Sequence, residues 1–102
     1  MVDAGFIALT LTVSKEGKQF VSRCEELGTA SCGNTVDEAL ENIKDATLEY
    51  LNTIERLGQR DRIFEEKGIT VRKTRPTLVP LPHALHPGSV ASPYVTKIPV
   101  AV

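Results

Sequence analysis

The residues able to do chemistry are few, and most lack the company that catalysis needs. Two histidines, His83 and His86, stand three apart in a proline-rich stretch with no cysteine or carboxylate beside them, so they form no metal set by spacing. Ser14, Ser22, Ser31, Ser89 and Ser92 have no neighbouring base in the sequence. Cys24 and Cys32 are too few for a disulfide scaffold or a zinc site. There is no Gly-rich phosphate loop, no HExxH and no CxxC. The pattern points to a non-catalytic protein without cofactor or metal.

One set of ionisable residues does have order. Asp37, Glu41, Asp45 and Glu49 recur at four-residue steps within the stretch Gly33 to Gly58. On a helix each carboxylate lies near the next, and each such like-charge pair weakens the helix by about 0.2–0.5 kcal/mol. Lys44 and Arg56 offset part of this. A solvated face is one reading. A docking ridge for a basic partner is the other.

The same stretch carries its own helix signals. Thr35 followed by Glu38 is a capping box. Gly58 offers the left-handed residue that ends helices. Between them Val36, Leu40, Ile43, Thr47, Tyr50, Ile54 and Leu57 recur at helical steps, widened by Ala39, Ala46 and Leu51. The helix runs from about Val36 to Leu57, roughly 33 Å at 1.5 Å per residue.

Strands must supply the surface it lies on. Phe6 to Ser14 alternates, with Ile7, Leu9, Leu11 and Val13 on one face and Thr10 and Thr12 on the other. Lys15 to Lys18 reads as a four-residue turn. Gln19 to Glu26 is a second strand with Phe20, Ser22 and Cys24 inward, so that Val13 faces Phe20 and Leu9 faces Cys24. A turn at Gly28 leads to a third strand over Ala30–Asn34, in a register that sets Cys24 opposite Cys32. Two readings follow, a redox pair or two small core residues, and free cysteine favours the second. Asp61–Lys67 is a short helix burying Ile63 and Phe64, and Ile69–Lys73 a fourth strand candidate.

Charge and proline divide the chain. All thirteen acidic residues fall before Ile69, against eight basic ones, whereas Arg72, Lys73, Arg75 and Lys97 follow unopposed. All six prolines also follow. Residues 1–73 read as one folded domain and 74–102 as a proline-rich tail ending in a strand, Tyr94 to Val102. Pro99 requires an edge whose missing N–H points outward. Tyr94, Ile98, Val100 and Val102 form its apolar side, the expected oligomer contact if the strand joins a neighbour's sheet, with return to its own sheet edge as the alternative. No apolar run approaches a membrane span, and no basic flank precedes an apolar leader segment, so a cytoplasmic protein is expected.

In order along the chain, Phe20 to Gly28, Gly33-Asn34-Thr35, Glu38 to Asn42, Ala46 and Tyr50-Leu51 resemble the HicB-like antitoxins. The resemblance spans roughly residues 5–58. It implies an α+β fold, β-β-β-α-β: a three-stranded antiparallel meander followed by one long helix packed on the sheet, partial ribonuclease-H-like without that enzyme's carboxylates, here extended by a C-terminal tail and edge strand. It implies an antitoxin of a type II toxin-antitoxin pair that binds and neutralises a small basic HicA-like RNA-cleaving toxin. Asp37, Glu41, Asp45 and Glu49 would meet that toxin. Nothing after Lys67 has helical period, so DNA binding through this chain's own C-terminal region is not expected. Two other classes stay open: an orphan regulatory homodimer or higher homo-oligomer, and an RNA binder using the basic tail.

Overall fold

A computed structural model describes residues 2–74 and 89–101, with side chains described for 5–74 and 89–98. The elements in chain order are β1 (Val2–Glu16), β2 (Gln19–Cys24), β3 (Ala30–Gly33), α1 (Val36–Arg56), α2 (Arg60–Lys67) and β4 (Val90–Ala101). The strands form one antiparallel sheet in the order β3-β2-β1-β4. Three strands followed by a long helix laid on the sheet make the α+β architecture that the sequence pattern implies.

The inner face is apolar. Ile7, Leu9, Leu11 and Val13 are buried on it, joined by Ser22 and Cys24 of β2 and by Thr96 and Ile98 of β4. From the helix come Ala39, Ile43, Thr47, Leu51 and Ile54, and from α2 Phe64. Gly33 lets the helix come this close. A Cβ there would lie 2.6 Å from the Ala39 nitrogen, nearer than real carbons approach.

Registers differ from expectation, each for a local reason. The first hairpin closes on the two residues Gly17 and Lys18, not four, so Leu11 faces Cys24 and Lys15 faces Phe20. That shift of two keeps every inward residue inward. The second turn runs from Glu25 to Thr29, with the Cys24 N–H on the Thr29 carbonyl and the Gly28 N–H on the Cys24 carbonyl. Ala30 therefore pairs with Arg23 and Cys32 with Val21. The odd shift puts Cys32 on the outer face, exposed, while Cys24 stays in the core. The expected cysteine pair does not exist.

Ile69–Lys73 is not a strand either. It makes one antiparallel bridge, Arg72 to Phe6, with reciprocal bonds of 2.8 Å. The C-terminal strand begins at Val90, four residues earlier than read, and pairs with β1 from Val13 to Val2. It thus returns to its own sheet, not to a neighbour's.

Both sheet edges are guarded. Phe6 and Thr10 direct their backbone groups toward the β2 side, so the odd residues of β1 bond β4. Pro93 and Pro99 face Thr10 and Ala4 and turn their missing N–H outward, as Pro99 was expected to do. On the other edge β3 is only four residues long, and Asn42 Nδ2 donates to the outward Cys32 carbonyl at 2.8 Å.

Candidate functional site: the acidic face of α1

The helix starts where its cap predicts. The Glu38 N–H donates to Thr35 Oγ1 at 3.0 Å. The Glu38 carboxylate in turn accepts from Asn34 N–H at 3.3 Å, one residue before the amide that the box pattern names. At the other end Leu57 is the cap and Gly58 follows at φ 69. Gln59 N–H returns to the Ile54 carbonyl and Gly58 N–H to that of Glu55, the paired bonds of a Schellman motif.

Fixed at both ends, α1 presents Asp37, Glu41, Asp45 and Glu49 to solvent, all four exposed. The structure brings them onto one ridge, as their spacing requires. Glu41 has Lys44 at 3.6 Å. Lys44 also lies over the Tyr94 ring, 5.9 Å from its centroid, which ties α1 to β4. Asp37, Asp45 and Glu49 have no ion-pair partner among the described residues. The ridge is therefore a surface of largely uncompensated negative charge.

The C-terminal set is placed differently. Tyr94 packs against the core and Ile98 is buried in it. Neither is presented as a free oligomer surface. Val100 faces Asp3 in the ladder, and Val102 lies outside the described residues, as do His83 and His86.

Sequence reasoning missed a second use of carboxylates. Glu26 accepts the Thr10 N–H at 2.7 Å and the Thr10 hydroxyl at 2.9 Å, while Glu25 accepts the Thr12 hydroxyl at 2.7 Å. These bonds finish the edge of β1 where β2 turns away, and they leave Thr10 and Thr12 buried on the face expected to be open. Adjacent acids after a strand gave no signal of that role. Burial, reinforced by the Glu26 charge, pushes the Cys24 thiol up from its ordinary value, so it stays protonated in the core. The Ser22 hydroxyl is buried with no hydrogen-bond partner among the described residues. Among the described residues no group of three His, Cys, Asp or Glu could hold a metal ion, and no helix is long and apolar enough to cross a membrane.

No family model, curated protein or solved structure matches the chain.

Proposed function

We propose that the chain is a non-catalytic binding module, an antitoxin that neutralises a small basic HicA-like RNA-cleaving toxin by covering part of its surface. The observation that carries this reading is the exposed ridge Asp37-Glu41-Asp45-Glu49 on a helix whose other face already completes the core. None of those acids is part of the core, and their four-residue spacing sets like charges side by side on the helix. A cationic partner gains from them in encounter rate and in specificity. The residue resemblance to HicB-like antitoxins supports the same assignment. The β-β-β-α order agrees with it at the level of fold, which is not by itself a function.

Co-expression with a HicA-like toxin tests it. Co-purification of the two proteins and rescue of toxin-arrested growth are expected. A panel of such toxins, each active alone and none captured or neutralised, would reject the reading.

A further inference from the structure

The ladder along β1 has a gap one residue long. Phe6 and Thr10 turn their backbone groups to the β2 side, and both are satisfied there. The Phe6 N–H and carbonyl exchange bonds with Arg72, the Thr10 N–H donates to Glu26 Oε1, and the Thr10 carbonyl accepts the Glu25 N–H. Ala8 lies between them and, at period two, points its own N–H and carbonyl the same way. The antiparallel register begun by Arg72 and Phe6 would bring Thr70 opposite Ala8, but the pairing stops after one bridge. Nor does β2 reach it, since its pairing with β1 starts at Leu11. Ala8 therefore has no hydrogen-bond partner on this side among the described residues. A pocket of about 190 Å³ stands in the gap, with Ala8, Thr10, Glu26, Gly68, Thr70 and Arg72 in its walls.

We infer that this gap binds a free α-amino acid. An antiparallel rung takes the N–H and carbonyl of one facing residue, and an amino acid carries its ammonium and carboxylate in that same relation across one Cα. The pocket also has the matching polarity. The Ala8 N–H and Arg72, which stands opposite Phe6, mark one end. The Ala8 carbonyl and the Glu26 carboxylate, fixed at Thr10, mark the other. A bound carboxylate thus meets two donors, and a bound ammonium two acceptors. Neither Glu26 nor Arg72 has an ion-pair partner among the described residues. Glu26 is held in place by the Thr10 N–H at 2.7 Å and the Thr10 hydroxyl at 2.9 Å, which leaves Oε2 a further acceptor site. Size agrees with this assignment. A cavity of about 150 Å³ holds a benzene-sized molecule and drug-sized ligands take roughly 300 Å³ or more, so a small metabolite fits where a nucleotide does not. A longer peptide strand is excluded because the rungs on either side, at Phe6 and Thr10, are taken. A neutral amide would restore the rung and leave both charges unmet. None of the four ridge acids lines the pocket, so the inference stands apart from the basic-partner reading.

The test titrates the full chain with each common L-amino acid at millimolar concentration, read by backbone amide resonances and by calorimetry. At least one binds, and it shields the Ala8 amide from hydrogen exchange. Its N-acetyl derivative and its carboxamide each bind at least about tenfold more weakly, the worth of one charge-assisted hydrogen bond. Arg72→Gln weakens binding of the free amino acid by a similar factor and leaves that of the carboxamide, which has no charge for Arg72 to meet, unchanged. Glu26→Gln does the same for the free amino acid against the N-acetyl derivative. If loss of the Thr10 contacts unfolds that variant, the exposed Arg72 decides alone. No resonance shift with any amino acid overturns the inference. So does equal binding of the free, acetylated and amidated forms, or an affinity unmoved by Arg72→Gln. An Ala8 amide already protected without ligand would show that residues 69–71 close on β1 themselves, and overturns it too.

Discussion

The two faces of α1 obey different rules. The inner face, Ala39-Ile43-Thr47-Leu51-Ile54, is buried throughout, and its residue types follow from what the sheet offers: aliphatic side chains over Ile7, Leu9 and Leu11, and Thr47 where Thr29 offers a hydroxyl at 3.1 Å. The outer face buries nothing and repeats one sign of charge at a spacing that opposes the helix. Folding accounts for the first. The second is open to two readings, a solvated face and the docking ridge proposed above.

If this contrast is right, changes on the two faces separate stability from binding. The largest effect falls inside. Ile43→Ala removes a fully buried side chain at the centre of the helix–sheet contact and should cost about 3–4 kcal/mol in urea unfolding. A loss below about 1 kcal/mol would mean that α1 is not what closes the core.

Two changes of about 1 kcal/mol follow, with opposite signs. Thr35→Ala deletes the oxygen that caps Glu38 N–H and should lower stability by about 1 kcal/mol. Unchanged denaturant midpoints would place the helix start elsewhere. Ser22→Ala removes a buried hydroxyl that has no partner among the described residues and should raise stability by about 1 kcal/mol, since only a desolvation penalty is lost. A destabilised alanine variant would show that the hydroxyl is bonded after all.

The smallest effect falls outside. Asp45→Lys converts two like-charge neighbours, Glu41 and Glu49, into opposite-charge ones. It should raise stability by a few tenths of a kcal/mol at low salt, and less in high salt. A marked destabilisation would give the ridge a structural role and remove the contrast between the faces.

Legibility followed the same division. Periodicity and capping residues located α1 to within a residue at its C-terminal end, because Thr35, Glu38 and Gly58 act locally. Alternation named the inner set of β1 correctly, because burial of one face enforces period two. Register was not legible. It turned on whether the first hairpin used two residues or four, and on a Glu25–Thr29 loop whose length decides which face Cys32 takes. Long-range partners were hidden as well. No sequence pattern tells that Glu26 finishes the edge of β1, or that Val90 to Ala101 returns to β1 rather than to a neighbour. The acidic ridge itself was fully legible, since it needs only a helix and a spacing. What it binds was not, because charge specifies a sign and not a molecule.

The most direct test is the affinity of the chain for a HicA-like toxin that it neutralises, compared between the parent and the double variant Asp37→Lys, Glu41→Lys. Both positions are exposed and neither touches the core, so the variant should stay folded, with a midpoint slightly below the parent's because Asp37 leaves the first turn and Glu41 leaves Lys44. The account predicts that such a folded variant loses toxin binding and no longer rescues growth. Unchanged affinity in the same folded variant would contradict it and return the ridge to a solvated helix face.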